Sequence, residues 1–106
     1  MSNINRKSIQ LTQASPTSEP IDVNAFIDTS RLFIQCSGIS SGSFSIEQEG
    51  ITTGWQKIST SISNQSPLII SANIAGIEIR TTKFMRIRFV GEGIVNPEII
   101  KIDIYC

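Results

Sequence analysis

The chain contains no histidine. That absence removes the commonest general base near neutral pH, the commonest metal ligand and every Ser-His or Cys-His dyad. Charge is also scarce: charged residues make up 17% of the 106 residues, and 9 Lys+Arg balance 9 Asp+Glu. A neutral balance lacks the basic footprint of a dedicated nucleic-acid binder. Only two cysteines occur, Cys36 and Cys106, too few for a multi-bridge secreted scaffold and without metal-ligand spacing. They are expected as free structural thiols, since neither has a basic sequence neighbour to activate it.

No apolar run approaches the roughly 20 residues that span a bilayer, and the opening MSNINRKSIQLTQASPTSEP has no apolar core of a signal peptide. The reading is a soluble chain made in the cytoplasm without export, with no membrane and no nucleic-acid partner. Leu and Val are rare, at 3 residues each. No stretch keeps an apolar i, i+3, i+4, i+7 stripe for three turns, so helix is expected to be almost absent.

Isoleucine takes the place of those missing residues, with 21 copies beside 15 Ser and 8 Thr. β-Branched side chains of this kind fit pleated sheets. Residues 1–20 are polar and punctuated by Pro16 and Pro20, with one short alternating piece, Ser8–Thr12. They read as an arm that needs a neighbouring subunit to hold it. Residues 21–106 read as a single domain of short strands.

Alternation assigns the strand faces. Leu32, Ile34 and Cys36 are expected to point inward, opposite Arg31, Phe33 and Gln35. Residues 43–49 alternate again after Gly38–Gly42, which predicts a hairpin between the two runs. Trp55, and Ile58 with it, is expected to seal one end of the core. Residues 59–67 read as a polar loop, and Leu68–Ala72 as a buried strand. Ile77 and Ile79 oppose Glu78 and Arg80. Met85, Ile87 and Phe89 oppose Arg86 and Arg88, and Ile100, Ile102, Ile104 and Cys106 alternate along the last strand. These runs predict an all-β fold: a small antiparallel β-sandwich, jelly-roll or Ig-like, of about seven to nine strands with an extended N-terminal arm.

Catalytic constellations are missing from this pattern. The glycines are spaced as turn residues and open no helix, so they make neither a dinucleotide nor a P-loop signature. Glu47 and Glu49 share a face but have no third acidic residue nearby for a cation. Arg80, Lys83, Arg86, Arg88 and Lys101 cluster late in the chain. They read as a solvated face paired with Glu47, Glu49 and Asp103, or as a surface for an acidic partner. No cofactor and no metal is expected, and the chain reads as a non-enzyme.

One larger pattern joins these pieces. Asp22-Val23-Asn24-Ala25-Phe26 precedes Leu32-Phe33-Ile34-Gln35-Cys36-Ser37-Gly38, then a Gly-Ser-Phe-Ser-Ile-Glu strand at 42–47, Trp55, and Phe84-Met85-Arg86-Ile87-Arg88 before a terminal strand. Over residues 22–106 it resembles the small β-sandwich proteins of tailed-bacteriophage virions. The loop at residues 48–54 differs from the Ser-Asn-Asp-Gly type of turn found there. The resemblance implies a virion component: a head decoration or cement protein, or a tail accessory subunit. It would be bound in multiple copies to capsid or tail proteins, as a homo-oligomer or larger assembly. The contacts expected between subunits are Ile9 and Leu11 of the arm and the basic pair Arg86 and Arg88.

A second function class also fits the residues. A carbohydrate- or receptor-binding sandwich would stack Trp55, Tyr105 or Phe33 on a sugar ring, with Asn or Glu beside it. The chain has only seven aromatics to serve both a core and such a platform.

Overall fold

A computed structural model describes residues 4–27, 32–50, 54–58, 68–79 and 86–106. Nine strands run through them: β1 (Arg6–Leu11), β2 (Ile21–Asp22), β3 (Leu32–Ser37), β4 (Ser43–Gly50), β5 (Gly54–Lys57), β6 (Ile69–Ile70), β7 (Ile74–Ile79), β8 (Arg86–Glu92) and β9 (Ile100–Tyr105). A 3-10 turn at Val23–Ala25 is the only helical element among the described residues. Asp22 caps it by accepting a hydrogen bond from the Asn24 N–H. No helix among the described residues is long and apolar enough to cross a membrane.

The strands form two antiparallel sheets, one in the order β1-β9-β3-β7 and the other β2-β8-β4-β5 with β6 beside β5 on β4. From β1 to β4 the chain changes sheet at every step, and among the described strands β4 and β5 are the only consecutive pair joined in a ladder. This is jelly-roll connectivity. An Ig-like order would pair early consecutive strands within one sheet.

The core lies between the sheets, where alternation has sent one face of each strand inward. Leu32, Ile34 and Cys36 of β3 meet Phe44 and Ile46 of β4, Ile87 and Phe89 of β8, and Ile100, Ile102 and Ile104 of β9, all buried. Phe44 and Phe89 pack with tilted rings, centroids 5.9 Å apart. Burial pushes the Cys36 thiol pKa up, against a backbone hydrogen bond from Ile74 that lowers it. Both cysteines are free.

Three expectations change here. The hairpin predicted between β3 and β4 does not form. β3 pairs with β7 and β9, while β4 pairs with β5, β6 and β8, so Gly38–Gly42 arches from one sheet to the other. Trp55 does not seal the core. It pairs with Glu49 and shares the outer face of β4 with it, while Ile58 takes the inward position and packs on the core.

The first twenty residues, expected as an arm, supply β1, which pairs with β9 over six residues from Arg6↔Tyr105 to Leu11↔Ile100. Pro16 and Ser18 then bond to the free edge of β8 through Gly91 N–H to Pro16 O at 2.7 Å and Ser18 N–H to Phe89 O at 2.9 Å. The holder of this segment is its own chain. The expected faces of Arg31, Arg80, Lys83, Phe84 and Met85, and the loop at 59–67, lie outside the described residues.

Candidate functional site

The outer face of the second sheet carries the charged residues singled out in the sequence. Register sets Glu47 between Lys57 and Arg88. Arg88 Nη2 lies 2.7 Å from Glu47 and Lys57 Nζ 3.8 Å from it, and Lys57 also donates to the buried Ser45 hydroxyl at 2.8 Å. One step along, Arg86 grips Glu49 with two parallel bonds of 2.9 and 2.6 Å. The Arg86 hydrogen bonds hold the Glu49 carboxyl below its ordinary value, and Glu49 raises Arg86 in return.

Trp55 covers this ladder, its ring 4.4 Å from the Arg88 guanidinium carbon and 5.9 Å from that of Arg86. The two arginines expected as intersubunit contacts therefore spend their charge within the sheet. Arg88 covers one face of the Trp55 ring.

The outer face of the first sheet gathers the other two aromatics. Phe33 and Tyr105 are cross-strand partners on β3 and β9, and their rings stack at 5.7 Å with planes 21° apart. Trp55 lies on the opposite face of the sandwich, so the three aromatics do not make one platform. In the next row stand Ser8, Asp103 and Gln35. Asp103 accepts from the Ser8 hydroxyl, from Gln35 Nε2 at 3.2 Å and from Arg6 Nη2 at 3.3 Å. These partners, Ser8 first, then Gln35 and Arg6, hold the Asp103 carboxyl below its ordinary value. Asn5, Arg6, Gln35, Asp103, Tyr105 and Cys106 line an open pocket of about 430 Å³ here.

Ile9 and Leu11, the other expected contacts, face inward. Leu11 is fully buried and Ile9 is a half-buried rim residue packed on the core. The inward parity of β1 explains both: Ile9 pairs with Ile102 and Leu11 with Ile100, each of them buried.

One residue that the sequence reading passed over organises a whole end of the molecule. Glu98, in the loop between β8 and β9, is 8% exposed. Its carboxylate accepts backbone N–H bonds from Ser40 at 2.7 Å, Ser41 at 3.2 Å, Gly42 at 3.1 and 3.0 Å and Val95 at 3.3 Å, and the Ser41 hydroxyl at 2.9 Å. Led by the Ser40 N–H and reinforced by Gly42, Ser41 and Val95, these donors outweigh desolvation and bring its pKa down to about 2.

Two further connections, β6–β7 and β1–β2, are tied to the same end. Asn73 Oδ1 accepts from Ile39 N–H at 3.1 Å, and Gln13 Oε1 accepts from Asn96 N–H at 3.4 Å. On this fastened end Val95 is 57% and Ile99 40% exposed. The run Gly-Ile-Ser-Ser-Gly at 38–42 presents three successive N–H groups, of Ser40, Ser41 and Gly42, to the carboxylate, but its composition marks only a turn. Nothing in the sequence pointed to Glu98 as their partner.

No protein-family model, curated protein or solved structure matches the chain.

Proposed function

We propose that the chain is a non-enzymatic subunit of a phage virion, a small jelly-roll bound in multiple copies to capsid or tail proteins. The contact surface in this reading is the loop end, and neither the arm nor the basic strand face takes part. The observation that carries it is the pair Val95 and Ile99, exposed on a loop that Glu98 fastens to the opposite sheet's crossover. An apolar tip held rigid before contact loses little conformational entropy on docking, which suits a permanent structural interface. The resemblance over residues 22–106 points the same way.

The test is quantitative mass spectrometry of density-banded particles from cells that carry the gene, with wild type compared to a Val95→Ser, Ile99→Ser double variant. The chain should band with the particles in many copies. The variant should keep its melting temperature and lose most of its occupancy. Absence of the wild-type chain from the particles would overturn the reading.

A further inference from the structure

We propose that the pocket beside Tyr105 on the outer face of the first sheet is a binding site for a neutral pyranose sugar. A pyranose offers one apolar C–H face and a rim of hydroxyls, each both donor and acceptor. Its recognition therefore needs a fixed aromatic surface flanked by planar polar groups of both kinds.

The pocket supplies the surface first. Tyr105 is set by its neighbours, since Phe33 stacks on it at 5.7 Å and its hydroxyl end lies over Gly76, where no side chain interferes. Phe33 stands outside the pocket lining and acts as the backing of the ring.

Polar groups complete the lining. Asp103 has roughly four lone-pair positions, and three of them are taken by Ser8, Gln35 and Arg6. One remains for a sugar hydroxyl, in a carboxylate whose orientation is already fixed. The Arg6 side chain is 64% exposed, and its fork carries more donors than its bond to Asp103 uses. Asn5 and Gln35 add amides that can donate and accept.

Charge then narrows the ligand. The charged side chains of the lining, Arg6 and Asp103, cancel, so they exert no net pull on phosphate or sulfate and suit an uncharged hydroxylated ring. A volume of about 430 Å³ falls within the range of small-molecule sites. Because the pocket is open, a single site should bind weakly, and many copies on one particle would raise the avidity. Trp55 lies on the opposite outer face and takes no part in this pocket's lining.

The experiment is an amide-resolved NMR titration of the isolated full chain with the methyl glycosides of glucose, galactose and mannose, and with short neutral oligosaccharides of each. Shift changes should concentrate at Asn5, Arg6, Gln35, Asp103 and Tyr105 for at least one probe. Tyr105→Ala and Arg6→Ala should each weaken binding about ten-fold, the scale of one stacked or charge-assisted contact. Arg6 lies on an exposed edge, so its variant reports even if Tyr105→Ala fails to fold. Trp55→Ala should leave affinity unchanged.

No shift change with any probe, or changes that both pocket variants leave intact, would overturn the site. The titration needs no particle, so its failure and the failure of the virion reading are separately visible.

Discussion

The hydroxyl of Tyr105 lies over the bare backbone of Gly76, two strands away: a Cβ built on Gly76 would come within 2.7 Å of it. The obstructing atom is the far end of a side chain, which can swing aside. Gly76→Ala should therefore fold and stay within about 1 kcal/mol of wild type, the strand preference for Ala offsetting part of the displacement. What should change is the ring geometry, read as altered Phe33 and Tyr105 ring-proton shifts. Unaltered ring shifts would mean that Gly76 does not set the position of Tyr105.

Glu98 makes a prediction about acid. Its carboxyl titrates at about 2 in the fold against an ordinary 4.5, so the unfolded chain takes up this proton first. Stability supplied by the ionised group is complete above 4.5 and is lost as pH falls from there toward 2. Glu49 and Asp103, also lowered, act in the same direction. Chemical denaturation of Glu98→Gln across that window should show lower stability at neutral pH and a flatter acid limb. An unchanged acid limb in the variant would show that the Glu98 contacts contribute nothing to it.

Two glycines with positive φ should respond differently to alanine. At Gly54, φ +74, a Cβ would meet nothing within 4 Å, so Gly54→Ala should cost about 1–2 kcal/mol of left-handed strain and no more. At Gly38, φ +85, the Cβ would sit 2.2 Å from the Ile99 carbonyl oxygen, in backbone that Glu98 has pinned. Gly38→Ala should be clearly the worse of the two in melting temperature. Equal losses would mean that the arch can shift without breaking the Glu98 clasp.

Isoleucine positions should separate by face. Ile104 is fully buried on β9 between two strands, and Ile69 is 61% exposed on short β6. Ile104→Ala should cost about 2–5 kcal/mol in denaturant unfolding, and Ile69→Ser about 0.5 kcal/mol or less. A large loss at Ile69 would reveal packing from a segment outside the described residues.

What the sequence disclosed was local. Alternation at 32–36, 86–90 and 100–104 named the inward residues because a half-buried strand forces period two. Partner choice was hidden, because a Gly- and Ser-rich reversal such as 38–42 has the same composition whether it closes a hairpin or arches between sheets. The parity of Trp55 followed from its register against Glu49, which only pairing decides. The two rows on the outer faces, Arg86 with Glu49 and Tyr105 with Phe33, join residues tens of positions apart. Their chemistry was visible in the residue types, and their proximity was not. Glu98 was invisible for a related reason: all of its donors but Val95 lie 56 to 58 residues upstream.

The place of β9 has a consequence for how the molecule comes into being. β9 pairs with both β1 and β3, and on it Arg6 of β1 finds its cross-strand neighbour Tyr105 and its ion-pair partner Asp103. While the chain is being synthesised, β1 and one edge of β3 must wait unpaired until residue 105 has cleared the ribosome. The first sheet therefore assembles after translation of the whole segment. Closing so long a loop places the fold among slow, topology-limited folders, on the order of milliseconds to seconds. During that wait the unpaired edges of β1 and β3 are exposed to pairing with other nascent chains, so yield on overexpression should be limited by this delay more than by the stability of the finished sandwich.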